Sequence, residues 1–321
     1  MVNKKMKNFI TAIICGIILG VTIYYINPIT DYISNIIQRE NKIITPPTNE
    51  YTKTTDYKFV QNTTNFTPYS YQDLINIYYS IINNGWEQFT FYCPNEYKSC
   101  IEDTKKISQK KSILSRRLNN FVHPYNSFFE AKTESRSLNE ITVKINYRYN
   151  DKQIEQINNK VDEIIENQIT KDQSDYEKIK IIHDYIIKNT KYDVKAAKNN
   201  IENNISNTAY GALFNGLATC NGYTDLMAIF LTKLGFDNYE IATTSDEISY
   251  KAKGHVWNAV KINDTWLHLD LTWDDPVSND NKDYLFHRYF LITTEELEKI
   301  DGGRIPIEAH NFNKKIYLEF N

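Results

Sequence analysis

An apolar helix followed by two β-rich runs places the strongest constraint on the fold of this chain. Residues 219–235 read TCNGYTDLMAIFLTKLG, with apolar side chains on nearly every side of a helix that Gly235 would end. Such a helix must be buried all round. The runs GHVWNAVKI (254–262) and TWLHLDLTW (265–273) then alternate as strands do. Because helical patterns precede most of these strands, the predicted fold class is α+β.

Cys220 lies in the first turn of the predicted helix, with Thr219 as a candidate N-cap. The N-terminus of a helix carries a partial positive charge, which stabilises a thiolate and favours a nucleophilic role. Cysteine is also a common small buried residue, so its position alone leaves both interpretations open.

The two strands should form a hairpin, because only Asn263 and Asp264 separate them. A two-residue turn sets Trp257 opposite Asp270 and places His255 diagonal to it, at about 7–8 Å, within reach of long side chains. One strand face is apolar, and the other holds His255, Trp257, His268, Asp270 and Thr272. This second face is either a solvated polar surface or part of an active site.

Cysteine, histidine and aspartate have complementary roles in nucleophilic catalysis. A thiol nucleophile needs a base, and the base needs a third group that fixes its tautomer and orientation. Cys220, His255 and Asp270 supply these types in that order along the chain. The sequence therefore predicts them as catalytic residues.

The chain resembles the transglutaminase-like superfamily, in its bacterial form, over roughly residues 170–300. The resemblance rests on residues 176–193 (YEKIKIIHDYIIKNTKYD), 218–236, 254–276 and 287–297 (HRYFLITTEEL). It implies a papain-like core, in which the nucleophile helix packs against an antiparallel sheet. It also implies Cys220 as nucleophile, His255 as base and Asp270 as orienting carboxylate.

The resemblance further implies an oxyanion hole that includes the backbone N–H of Cys220, with Tyr210 as a candidate second donor. Trp257 would line the pocket or pack in the core. The implied reaction is thiol acyl transfer from glutamine carboxamides or peptide amides, without a metal or other cofactor. An amine acceptor gives cross-linking, water gives amidase or peptidase activity, and a non-catalytic binding scaffold is the third alternative.

The N-terminus predicts a membrane anchor over residues 1–30. Lys4, Lys5 and Lys7 precede an uncharged run at 8–30, and about 20 apolar residues suffice to cross a bilayer. A cleaved signal peptide is the alternative, but no A-x-A-like cleavage site follows. The lysines predict a single-pass protein of the cell membrane, with a cytoplasmic N-terminus and an extracellular catalytic domain. Its partners would be the membrane and cell-surface proteins or wall peptides.

The rest of the chain divides into three predicted parts: a Thr-, Asn- and Pro-rich stalk at 31–69, a small α/β domain of unknown role at 70–150, and the catalytic domain at 151–321. Helices are expected from Ser70 to Gly85, over 103–122, and from a capping box at Ser174. The C-x6-C pair Cys93 and Cys100 predicts a disulfide and leaves Cys220 free.

Several polar residues receive no catalytic role. His183 is expected to be solvated or at the edge of the core, and His287 is expected to be structural. The aspartates Asp274, Asp275, Asp280 and Asp283 do not have EF-hand spacing and are expected in a solvated acidic turn. A net charge of −3 provides no basic surface for nucleic acid.

Overall fold

The computed structural model describes residues 4–40, 43–108, 117–136, 139–199, 204–243, 254–278, 284–304 and 310–321. The helices are α1 (Lys4–Glu40), α2 (Tyr71–Asn83), α3 (Cys100–Ile107), α4 (Asp151–Gln168), α5 (Asp175–Asn189), α6 (Val194–Asn199), α7 (Cys220–Lys233), α8 (Leu271–Asp274) and α9 (Thr294–Arg304). The strands are β1 (Gln88–Tyr92), β2 (Phe128–Ser135), β3 (Glu140–Tyr147), β4 (Lys191–Tyr192), β5 (Leu217–Ala218), β6 (Asn238–Ala242), β7 (Val256–Ile262), β8 (Thr265–Leu269) and β9 (Phe290–Ile292). Short helical turns lie at Asn119–Phe121, Pro124–Asn126, Ile205–Asn207, Gly211–Asn215 and Leu318–Phe320.

The N-terminal region forms α1, a helix that contains Pro28. In the part of the chain that the structure describes, no helix combines the length and apolarity needed to cross a membrane. The predicted transmembrane anchor is therefore unsupported by the structure.

Strands β6 to β9 form one antiparallel sheet in chain order. The predicted hairpin register is confirmed, because Ile262 pairs with Thr265 and Asn258 pairs with Leu269. The turn residues Asn263 and Asp264 both have positive φ, at 47° and 63°. Such two-residue turns match the twist of the strands they join and tolerate Asn and Asp at these positions. Local turn chemistry therefore determines the register that brings His255 toward Asp270.

The apolar helix α7 packs on one face of this sheet. Val260 and Leu269 from the strands share a buried cluster with Met227, Phe230 and Leu231 of α7, and with inward-facing residues of α4 and α5. Burying one such side chain contributes about 1.5–3 kcal/mol. Helix α7, which begins at Cys220, is thus fixed against the strands next to His255 and Asp270.

The opposite face of the sheet is also covered. Tyr239, Ile241 and Trp257 belong to a second buried cluster, together with α2 and the three-stranded sheet ordered β1-β3-β2. The interpretation of this face as a solvated surface is therefore wrong. Residues assigned to the small α/β domain and to the catalytic domain share this second core.

The predicted stalk is packed over much of its length. Tyr57, Val60 and Phe66 are buried in the second cluster. The Tyr57 hydroxyl donates to the backbone oxygen of Asn238 at 2.9 Å, and Lys53 Nζ donates to the same oxygen at 2.6 Å. The expectation of an unpacked stalk is wrong here, because single aromatic residues anchor an extended segment that has no helical or strand period.

The predicted helix starts are present. Ser70 accepts a hydrogen bond from the backbone N–H of Asp73, and Ser174 forms the predicted capping box with Glu177. The helix expected over 103–122 begins earlier, at Cys100, and ends at Ile107. Its continuation over 109–116 lies outside the described residues.

Cys93 and Cys100 are joined in a disulfide, with their Cα atoms 5.8 Å apart. Both cysteines are buried in the second cluster. The bond attaches the start of α3 to the segment that follows β1. Cys220 is a free thiol.

Candidate active site

Cys220 is the first residue of α7, and its side chain is partly exposed. Thr219, the predicted N-cap, makes no side-chain capping bond and donates instead to Asn207 Oδ1 at 2.7 Å. The first N–H groups of a helix have no partner within the helix. In the described part of the chain, the Thr219 side chain leaves these groups beside the thiol uncapped.

Gly222 allows the first turn of α7 to pack tightly. A Cβ at this position would lie 2.5 Å from the backbone oxygen of Ser206 and 3.0 Å from that of Thr208. The absence of a side chain at Gly222 lets the 205–208 segment pack against the start of α7.

His255 lies just before β7 and connects the thiol to a carboxylate. Its Nε2 is 2.5 Å from Asp270 Oδ2. The Cys220 thiol lies close enough to the imidazole to help raise its pKa. The backbone N–H of His255 donates to Thr243 Oγ1 at 2.9 Å. The structure thus brings the three predicted catalytic residues together.

Electrostatics favour a charged His255. Burial would lower its pKa, but the charge and hydrogen bond of Asp270, together with Cys220, outweigh burial and raise that pKa from 6.5 to about 10. Burial would raise the pKa of Asp270, but His255 and His310 hold it well below its usual value. An imidazolium between a carboxylate and a thiol stabilises the thiolate form of the nucleophile.

The stability of the folded protein should depend on the protonation of His255. A raised pKa means that stabilisation is fully present below pH 6.5 and is lost as the pH rises toward 10. The free energy of unfolding relative to a His255→Gln variant should fall over this range by on the order of a few kcal/mol. Urea denaturation at several pH values measures this difference. Repeating it in a Cys220→Ala background isolates the Asp270 contribution, and a difference independent of pH would contradict the expectation.

Asp270 is held from three directions. It is the N-cap of α8, where Oδ1 accepts the backbone N–H of Trp273 at 3.2 Å. Its Oδ2 is bonded to His255 and also to His310 Nε2, at 2.9 Å. Sequence reasoning missed His310, which lies 40 residues after Asp270. The sequence contains a single hint of its importance: His310 is a histidine without an assigned role, in a segment that has no helical or strand period.

Trp257 is 1% exposed and packs in the core beneath His255. The two rings are stacked, with centroids 5.7 Å apart, and the indole Nε1 donates to His268 Nδ1 at 3.1 Å. Trp257 therefore supports the His255 ring from its buried side. Trp273 meets the same imidazole edge-on, with centroids 6.3 Å apart.

Tyr210 does not meet the thiol within the described residues. Its ring packs against Phe214, with centroids 4.6 Å apart. Tyr192 is the tyrosine whose pKa the residues of the site shift. It lies on β4, which pairs with β5 just before Cys220. Burial and the charges of Cys220 and Asp270 raise the pKa of Tyr192 to about 12. Sequence reasoning did not single it out.

Asp274 does not lie in a solvated turn. It is fully buried, and its carboxylate accepts the backbone N–H groups of Arg288 and Tyr289, at 2.8 and 3.0 Å. Its other oxygen is bonded to His183 Nε2 at 3.2 Å. His183 is equally buried, so its expected place in solvent or at the core edge is wrong. Asp275 accepts the hydroxyl of Tyr223.

The other two aspartates of the predicted acidic turn, Asp280 and Asp283, lie outside the described residues. His287, expected to be structural, contacts Asp184 Oδ1 through Nε2 at 2.6 Å.

Two groups of side chains in the described residues are compact enough to hold a metal ion: His183 with Asp184 and His287, and His255 with Asp270 and His310. In the first group Asp184 also pairs with Lys180 at 2.7 Å. In the second group both imidazoles already bond one carboxylate oxygen. Hydrogen bonds and ion pairs account for both arrangements.

Residues 139–271 match the model of the transglutaminase-like superfamily, so the chain contains a domain of that kind. This region includes Cys220, His255 and Asp270. No curated protein sequence matches the chain.

Several solved structures resemble part of the chain, including the following two. One, described as a TGase, is 14% identical, with a TM-score of 0.34, and the match covers 48% of each chain. The other, provisionally described as a cysteine protease from Cytophaga hutchinsonii, is 12% identical, with a TM-score of 0.30 over 49% of this chain and 65% of its own. This chain therefore spans about half to two thirds of their lengths.

Proposed function

We propose that the protein is a thiol acyltransferase that acts on glutamine carboxamides or peptide amides through a thioester on Cys220. One observation carries the proposal: the His255 imidazole is bonded through Nε2 to the Asp270 carboxylate and lies close enough to the Cys220 thiol for both groups to raise its pKa. An inert buried thiol has no need of a histidine held in this way.

The residues support a two-step reaction. The thiolate of Cys220 attacks the amide carbon, and the resulting oxyanion would be stabilised by the backbone N–H of Cys220 at the uncapped start of α7. The His255 imidazolium then donates its proton to the leaving nitrogen, which departs as ammonia or an amine. This step leaves an S-acyl enzyme and a neutral imidazole.

In the second step, neutral His255 takes a proton from the acceptor as the acceptor attacks the thioester carbon. Collapse of the tetrahedral intermediate expels the Cys220 thiolate and restores the imidazolium. A primary amine as acceptor gives a new amide, whereas water gives a carboxylic acid. Asp270 keeps the imidazole oriented and exchanges no proton with substrate.

Transfer to an amine, and hence cross-linking, is the favoured outcome in this proposal. Water is present at about 55 M, so an amine competes only where the site positions it, and effective molarities of 10⁵ M or more make this possible. Trp273 and Tyr192 are half-buried aromatic residues beside the catalytic group and could form the walls of such a site.

The ratio of products tests this choice. The protein is incubated with a glutamine peptide and a primary amine, and amide product is compared with released acid by mass spectrometry. We expect the amide to dominate at saturating amine, and the Cys220→Ala variant to form neither product. If acid dominates, or if a peptide bond is cut, the protein is an amidase or a cysteine peptidase.

A non-catalytic scaffold is the second class of function, and thiol reactivity distinguishes it. A chloroacetamide peptide should alkylate Cys220 rapidly at neutral pH if His255 holds the thiolate. Slow alkylation, at the rate of a free cysteine, would favour the scaffold.

The proposal includes acceptors at the cell surface, either proteins or wall peptides. This location depends on the membrane anchor, which stays a prediction.

A further inference from the structure

His310 is a buried histidine held between two carboxylates. Its Nε2 is 2.9 Å from Asp270 Oδ2, and its Nδ1 is 3.0 and 3.1 Å from the two oxygens of Asp301 in α9. The side chain of His310 is inaccessible to solvent, and those of its two partners are nearly so. Five side chains therefore lie in succession, each next to the following one: Cys220, His255, Asp270, His310 and Asp301.

The protonation of His310 follows from its partners. Each ring nitrogen of His310 lies within hydrogen-bond distance of a carboxylate, an arrangement that favours the imidazolium, which donates from both nitrogens. Burial alone would lower the pKa of His310, but the bonds to Asp270 and Asp301 raise it, although the nearby His255 opposes this. The rings of Trp257, Trp273 and Tyr289 also lie next to it, at 5.0 to 5.4 Å between centroids.

The Asp270 carboxylate can turn about its Cβ–Cγ bond, and hydrogen bonds to both oxygens restrain this rotation more than one bond does. The backbone N–H of Trp273 holds Oδ1 at 3.2 Å, at the long end of the usual range. His310 holds Oδ2, the same oxygen that meets His255 Nε2. With both oxygens held, the carboxylate faces the catalytic imidazole before substrate arrives.

We propose that His310 is a positioning residue that holds the Asp270 carboxylate on His255, and that Asp301 fixes His310 in turn. The inference rests on the proposed function, since it concerns the same thiol. A residue that only fills space in the core would contribute to stability without affecting the reactivity of Cys220.

Two substitutions of similar size separate these roles. The amide nitrogen of Gln reaches about as far as the imidazole Nε2, and that of Asn about as far as Nδ1. His310→Gln therefore keeps a donor toward Asp270, whereas His310→Asn keeps a donor toward Asp301 alone. The readout is the alkylation rate of Cys220 by iodoacetamide at neutral pH, in a Cys15→Ser background that leaves Cys220 as the free thiol.

We expect His310→Asn to slow alkylation about tenfold, the usual effect of losing one hydrogen bond to a charged group, and His310→Gln to restore most of the rate. In an Asp270→Asn background, His310→Asn should add little, because it acts through Asp270. Thermal unfolding of each variant shows whether it is folded.

The role in positioning is overturned if His310→Gln and His310→Asn slow alkylation equally, or if His310→Asn has its full effect without Asp270. Alkylation requires no substrate. If the product assay fails while these alkylation differences hold, the acyl-transfer proposal is wrong but the positioning role of His310 stands.

Discussion

Replacing Cys220 by alanine should abolish amide formation from a glutamine peptide and an amine, with a loss of about 10⁵-fold or more in rate. The loss is this large because the residues of a catalytic triad act as a unit, and removing the nucleophile removes the covalent intermediate that the others serve. Single-turnover assays with a labelled glutamine peptide measure both the rate and the trapped acyl-enzyme.

Cys15 provides a matched control, since it is the other free cysteine among the described residues. Cys15→Ala should leave the rate unchanged. The fold of Cys220→Ala should also be unchanged, because the thiol is partly exposed and alanine suits a helix. Activity retained in Cys220→Ala would show that another group is the nucleophile and would end the assignment of the site.

Asp270→Asn should reduce turnover by about 10³- to 10⁴-fold while the protein stays folded. The amide has one acceptor oxygen in place of two, so it cannot serve His255, His310 and the N–H of Trp273 together. The imidazole then loses its fixed tautomer and its charge stabilisation. The effect should appear in kcat more than in KM, which steady-state kinetics measures. Circular dichroism shows whether the variant is folded.

Asp274→Asn is the informative comparison, because Asp274 is as deeply buried but does not touch His255 in the structure. Its carboxylate accepts two backbone N–H groups from residues 288 and 289. The amide oxygen of an asparagine can keep both backbone bonds, but its N–H₂ group then faces His183 Nε2 in place of a carboxylate oxygen, so we expect a loss of about 1–3 kcal/mol in the free energy of unfolding. Turnover per folded molecule should change far less than in Asp270→Asn.

Asp275→Asn completes the series. Asp275 accepts a hydrogen bond from Tyr223, and the oxygen of an asparagine can accept the same bond. Its effects on turnover and on stability should be the smallest of the three. Equal losses of turnover at all three positions would mean that the register of the hairpin, and with it the place of Asp270, is wrong.

The sequence by itself determined the local geometry of the site. A two-residue Asn-Asp turn sets the hairpin register, and the period of two along each strand then decides that His255 and Asp270 share a face. The largely apolar pattern of 220–234 predicted α7 as a buried helix, and its N-terminus lies at Cys220. These features depend on spacings within about twenty residues, which a linear pattern encodes directly.

Only the tertiary structure decided which distant polar groups meet that site. His310 reaches Asp270 across 40 residues, and His183 reaches Asp274 across 91. Tyr57, in a segment that resembled a stalk, bonds to Asn238 across 181. Such contacts follow from the packing of a second layer over the sheet, and no helical or strand period marks the residues that make them. That layer covers a face of the sheet that could have been solvated, because burying the aromatic side chains of this face stabilises the fold. The covered face then supports the His255 ring.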